Sequence, residues 1–78
     1  MKIEVTQTYD DIKIKFDGVL HASINLRKLL GIQAWRTNEN NFSIEYNFEN
    51  EGKMICEYDS EHKWGEILLG LEKIALPT

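Results

Sequence analysis

The spacing of apolar residues changes once along this chain, and that change constrains the fold more than any other feature. Before Asp59, apolar and polar residues alternate in short runs separated by turn-forming residues, which is typical of half-buried antiparallel strands. From Ser60 to Leu76 the apolar residues recur at helical spacing. The sequence therefore predicts an α+β fold. We expect an antiparallel meander of five or six strands, twisted or partly closed into a barrel, packed against one C-terminal amphipathic helix.

The strand predictions rest on alternation between turn signals. The segments concerned are residues 2–9, 12–16, 19–24, 32–37, 42–48 and 53–59. The alternation is cleanest in the fifth, where Phe42, Ile44 and Tyr46 occupy one face. Because short connections make consecutive strands antiparallel neighbours, the six segments predict a meander.

The turn at Asp17–Gly18 allows two registers for the second and third strands. A two-residue loop pairs Phe16 with Val19, whereas a three-residue loop with a bulge pairs Ile14 with Leu20. The first places Leu20, Ala22 and Ile24 opposite the lysines of the second strand, whereas the second keeps the apolar residues of both strands on one face. Since register follows the buried face, we expect the three-residue loop.

Residues 24–31 predict a single helical or 3₁₀ turn between the third and fourth strands. Asn25 is a suitable cap for it, and Gly31 is suited to a left-handed conformation where the turn ends.

The C-terminal helix is predicted to begin at a cap formed by Asp59 or Ser60. Six of its residues fall on one arc that is expected to face the sheet: Trp64, Ile67, Leu68, Leu71, Ile74 and Ala75. Gly65, Leu69 and Leu76 lie off that arc. One interpretation is that a glycine lets the helix approach the sheet closely and that the exposed leucines have no role. The other is a second apolar stripe that makes the protein a homodimer.

Length and composition predict one domain spanning residues 1–78. The chain is 42% hydrophobic and 28% charged, which is typical of a folded protein. It has no run of about 18 apolar residues that could span a membrane. The N-terminal residues lack the apolar core of a signal peptide, and Cys56 has no second cysteine to pair with. We therefore expect a soluble, cytoplasmic protein.

The net charge of −4 is concentrated in the middle of the chain. Residues 39–61 carry seven acidic side chains against Lys53 alone. Such a segment repels a phosphate backbone, so nucleic acid is not an expected ligand. The acidic residues either solvate an outer sheet face or form a surface for a basic partner. The candidates for that surface are Glu45, Glu49, Glu51 and Glu57.

No motif in the sequence predicts catalysis. Cys56, His21 and His62 do not have the spacing of a zinc site, and Cys56 lies on a strand position predicted to face inward. There is no Gly-rich phosphate loop and no Gly-x-Ser-x-Gly motif. We expect no enzyme activity, no cofactor, no metal and no small-molecule substrate.

Trp35 is the most informative single residue. If Ile32 and Ala34 point inward, Trp35 points outward, and with its neighbour Arg36 it is a candidate anchor for a protein partner. If the strand is shifted by one residue, Trp35 belongs to the core. The sequence leaves both alternatives open.

The order of elements in residues 20–76 is similar to the second half of pleckstrin-homology-like domains. The residues that carry the likeness are the strand entry Ile24-Asn25-Leu26, an Ile-x-x-Trp strand at residues 32–35, a following hairpin and a helix with an early Trp64. The likeness is an analogy of architecture. Only Lys13 and Lys15 lie near the hairpin equivalent to the basic lipid-binding loop of that family, so the resemblance implies protein binding rather than lipid binding.

Two functions are consistent with these features. The first is a small, non-catalytic protein-interaction or scaffold module that self-associates. The second is an acidic inhibitor or immunity-type protein that neutralises a basic protein partner. The two differ in the salt dependence that their binding should have.

Overall fold

A computed structural model of the chain describes residues 1–74. Its elements in chain order are β1 (Ile3–Gln7), β2 (Asp11–Phe16), β3 (Val19–Asn25), β4 (Leu29–Asn38), β5 (Asn41–Phe48), β6 (Gly52–Tyr58) and α1 (Glu61–Glu72). The strands form two antiparallel sheets, ordered β1-β2-β3 and β4-β5-β6, which are not closed into a barrel. The α+β class, the antiparallel strands and the C-terminal helix are confirmed.

Backbone contacts divide the molecule into two compact units. Unit 1 contains Met1–Arg27 and the chain from Gly65 onward, and unit 2 contains Lys28–Trp64. The expectation of one domain over residues 1–78 stays a prediction. Within the described residues, no helix is long and apolar enough to cross a membrane.

Unit 1 is built around β2, whose alternation places Ile12 and Ile14 in the core. Ile67 and Leu71 of α1 are also buried, as their positions on the helical arc predicted. A Cβ atom at Gly70 would lie 2.6 Å from Cγ2 of Val5 in β1. Gly70 therefore allows α1 to approach β1 closely. This role for a glycine of the helix is one of the two interpretations that the sequence allowed.

The β2–β3 turn corrects the expected loop. Asp17 and Gly18 form a two-residue loop with φ of 50° and 82°, so both have positive φ as a type I′ turn requires. The register then shifts at a bulge in β3, after which Ile14 pairs with Ala22 and Ile12 with Ile24. The three-residue loop was wrong. The apolar face is restored by a bulge inside the strand and not by the turn itself.

The connection at residues 24–31 is shorter than predicted, because only residues 26–28 form a turn. β3 runs to Asn25 and β4 already begins at Leu29, which pairs with Phe48 of β5. Asn25 does act as a local cap, because the backbone N–H of Arg27 donates to its Oδ1 at 3.0 Å. Gly31 lies within β4 rather than in a left-handed exit, since pairing with β5 outweighs the local preference for a helical turn.

Unit 2 is built around β5, the central strand of its sheet. Phe42, Ile44 and Tyr46 are buried on one face, as predicted. The ring of Trp64 packs 5.1 Å from that of Phe42, centroid to centroid. Ser60 caps the helix, because the Lys63 N–H donates to its Oγ at 3.3 Å. The helix was predicted to reach Leu76, but α1 already ends at Glu72. Ala75 and Leu76 themselves lie outside the described residues.

Candidate functional site

Trp35 and Arg36 point to opposite faces of the sheet in unit 2. Trp35 pairs with Ser43 and Arg36 pairs with Phe42, and successive residues of a strand alternate between faces. The side chain of Trp35 is 38% exposed, so of the two alternatives the outward-facing one is correct. The structure does not bring Trp35 and Arg36 together on one surface.

Arg36 holds the β4–β5 turn. Its Nε donates to the Asn38 carbonyl at 3.1 Å and its Nη2 donates to the Glu39 carbonyl at 3.0 Å. Its guanidinium carbon also lies 5.1 Å from the centre of the Phe42 ring, within the range of a cation–π contact. These contacts use two of the five N–H donors of the guanidinium, so Arg36 has a structural role in addition to any role in binding.

The residues that share a face with Trp35 follow from the register. In antiparallel strands, directly paired residues point to the same side of the sheet. The Trp35 face, as we name it, consists of Gln33, Trp35, Ser43, Glu45, Ile55 and Glu57. Ile55 is 43% exposed and lies on β6, across the central strand from β4. Two large apolar side chains are therefore exposed on either side of β5.

The floor of the Trp35 face is polar and enclosed. Ser43 is 1% exposed, and its Oγ lies 3.4 Å from Oγ1 of Thr37. Glu45 is 9% exposed, accepts a hydrogen bond from Nδ2 of Asn47 at 3.1 Å, and lies 3.6 Å from Nζ of Lys53. Buried polar groups need such partners, and these contacts fix the floor in one arrangement.

The four acidic candidates do not form one set of free charges. Glu45 is paired with Lys53, and Glu51 accepts a hydrogen bond from Lys28 that raises the pKa of that lysine. Glu49 is exposed and its backbone N–H donates to the Lys28 carbonyl. Glu57 is exposed on the Trp35 face.

The helical candidates lie in different surroundings. Leu69 is 53% exposed, and Gly65 is half-buried with no atom within 4 Å of the position its Cβ would take. Leu76 lies outside the described residues. Leu69 borders a groove of about 420 Å³ between β1 and α1. The lining includes Ile3, Val5, Ile74 and the charged residues Glu66 and Lys73.

The remaining chemical candidates are held in structural contacts. Burial raises the pKa of the Cys56 thiol, which disfavours the reactive thiolate. His21 stacks on Phe16 with ring centroids 4.4 Å apart. Among residues 1–74, no group of three or more His, Cys, Asp or Glu side chains is placed to hold a metal ion.

Ile55 was not among the candidates from the sequence, although a signal for it exists. Met54, Ile55 and Cys56 are three consecutive apolar residues. If Met54 and Cys56 face inward, alternation places Ile55 on the opposite face. An apolar residue at an outward-facing position between two inward-facing ones therefore indicates an exposed apolar side chain on the outer face.

Comparison of the chain with models of known protein families, with curated proteins and with solved structures gives no match.

Proposed function

We propose that the protein is a small, non-catalytic interaction module that binds a protein partner through the Trp35 face. The observation that carries this proposal is the joint exposure of Trp35 and Ile55 on one face of the sheet in unit 2. Exposed apolar side chains occur singly on most surfaces and need no explanation. Two such side chains on one face, with ordered polar residues between them, form a larger contact surface for a protein partner than a single exposed side chain does.

The chemistry of the face supports a protein as its ligand. Tryptophan is enriched among residues that dominate binding energy, particularly where polar groups surround it and exclude water. Gln33 on β4 and the exposed Glu57 on β6 supply hydrogen-bonding groups on the Trp35 face. The floor beneath is already ordered by the contacts of Ser43 and Glu45, so a partner would lose little affinity to ordering the strand.

The acidic-inhibitor hypothesis is a weaker proposal. Its support is that Glu49 and Glu57 are exposed in a segment of strong negative charge. Against it, Glu45 and Glu51 are partly neutralised by lysines of the same chain. An inhibitor of this kind would bind a basic partner with an association rate that falls steeply with salt concentration.

Quantitative affinity capture from the cells that produce the protein tests the first proposal against the second. Immobilised wild type, Trp35→Ala and Leu30→Ala are compared at low and at high salt. Leu30 is the matched control, because it is an exposed apolar residue of the same strand but lies outside the Trp35 face. We expect Trp35→Ala to lose a specific partner by about 30-fold, which corresponds to a hot spot of about 2 kcal/mol.

Leu30→Ala should retain that partner, and high salt should reduce its capture only slightly. Equal capture by wild type and Trp35→Ala would contradict the proposal. Capture that is abolished by salt and by Glu57→Lys, but not by Trp35→Ala, would favour the acidic inhibitor instead.

A further inference from the structure

We infer that the groove between β1 and α1 in unit 1 binds the same groove of a second copy, which gives an antiparallel, two-fold symmetric dimer. This inference goes beyond the proposed function. It concerns other residues, and it can succeed or fail independently of the Trp35 face.

The groove has an exposed apolar element on its border and an apolar lining. Leu69 is about half exposed, while Ile3, Val5 and Ile74 line the cavity beside it. In a two-fold contact, Leu69 of each copy can fill the groove of the other. Burying a leucine side chain in this way is favourable because it removes apolar surface from water.

The charges of the groove identify a second copy as the occupant that fits. Glu66 and Lys73 both line it. Glu66 lies in α1 and Lys73 directly follows its last residue, Glu72, so the two are about 10 Å apart along the helix axis. Leu69 and Gly70 lie midway between them. A two-fold axis at this midpoint places Glu66 opposite Lys73 of the second copy and Lys73 opposite its Glu66, so two ion pairs form together.

The same charges select the orientation of the two helices. A parallel arrangement would place Glu66 against Glu66 and Lys73 against Lys73, which is unfavourable. Neither Glu66 nor Lys73 forms an ion pair within the part of the chain that the structure describes. A two-fold contact of this kind uses the same patch on both copies, so assembly stops at the dimer.

Sedimentation equilibrium of the full chain and of charge-exchange variants tests this inference. Wild type should be a dimer, and Leu69→Glu should be a monomer because it places a carboxylate in each groove. Glu66→Lys and Lys73→Glu should each weaken dimerisation by about 10-fold or more, since each places like charges opposite one another. The double variant Glu66→Lys with Lys73→Glu restores both pairs with inverted signs, so it should dimerise within about 3-fold of wild type.

All three positions tested line the groove, and circular dichroism checks that the variants remain folded. Leu30→Ala is the control for a general loss of surface apolar area. A wild-type chain that is monomeric at about 1 mM would overturn the inference, because even a dimerisation free energy of about −4 kcal/mol is detectable there. A dimer that Leu69→Glu leaves intact, or a double variant no better than the single ones, would overturn it as well.

Discussion

At the scale of one residue, Tyr46 links burial in unit 2 to the pH dependence of stability. Its side chain is fully buried, and its hydroxyl has no hydrogen-bond partner among residues 1–74. Burial raises the pKa of Tyr46 well above its ordinary value, because the charged phenolate would be poorly solvated there. Burial likewise raises the pKa of Tyr58, whose hydroxyl also forms a hydrogen bond with Cys56.

The raised pKa of Tyr46 predicts a loss of stability at alkaline pH. Above about pH 10 the tyrosine of the unfolded chain loses its proton while the folded protein keeps it, so the free energy of unfolding falls as pH rises. The contribution of one such group is at most about 1.4 kcal/mol per pH unit. Urea unfolding between pH 7 and pH 11 should therefore show a steeper alkaline decline for wild type than for Tyr46→Phe.

The behaviour at neutral pH provides the control for that comparison. Removing a hydroxyl that has no partner should leave the free energy of unfolding unchanged or raise it by about 1 kcal/mol. Tyr58→Phe removes a hydrogen bond and should lower it by about 0.5–1.5 kcal/mol. A loss of more than about 1 kcal/mol in Tyr46→Phe at pH 7, or an alkaline decline equal to that of wild type, would contradict this account of Tyr46.

The two glycines of α1 provide a matched pair at the scale of the element. In a helix, alanine is favoured over glycine by up to about 1 kcal/mol. Gly65→Ala should gain that amount, because its Cβ would meet no atom within 4 Å. Gly70→Ala should instead lose about 1–3 kcal/mol, because its Cβ would overlap the side chain of Val5. Chemical unfolding of both variants checks the difference, and equal effects would show that α1 does not pack against β1 this closely.

The elements that the sequence predicted well are those with a strong apolar pattern. Alternation located β2 and β5, and helical spacing located α1 with its cap at Ser60. The turn predicted at residues 24–31 is confined to residues 26–28, because Leu29 and Gly31 pair with β5 instead of continuing it. The length predicted for the Asp17–Gly18 loop was wrong because a bulge within β3 also restores the apolar face. Neither competing interaction leaves a local signal.

The candidate site was predictable only in part, for a related reason. Trp35 was identified, but alternation alone allowed it to face either solvent or the core. The pairing of Trp35 with Ser43 places it on the face opposite to the buried residues Phe42 and Ile44. Glu45 accepts a hydrogen bond from Asn47 of its own strand and forms an ion pair with Lys53, which the β5–β6 register places on the same face. Ile55 lies on the same face through the β5–β6 register, which sequence alternation within one strand does not specify.

For the whole molecule, the two proposed contacts are assigned to different units and share no residue. The Trp35 face belongs to unit 2, and the groove with Leu69 belongs to unit 1. A chain with two independent contacts of this kind would act as a scaffold that both pairs with itself and holds a partner. Leu69→Glu should therefore abolish dimerisation and leave capture through Trp35 unchanged, and Trp35→Ala should have the opposite effect.

Site-specific photo-crosslinking in the producing cells tests most directly whether the Trp35 face contacts a protein. A photoreactive phenylalanine analogue replaces Trp35 in one variant and Ile55 in another, and a variant with the analogue at Leu30 is the control. We predict that positions 35 and 55 form adducts with the same partner protein and that position 30 does not. Adducts of equal yield at all three positions, or none at positions 35 and 55, would contradict the assignment of this face as the binding surface.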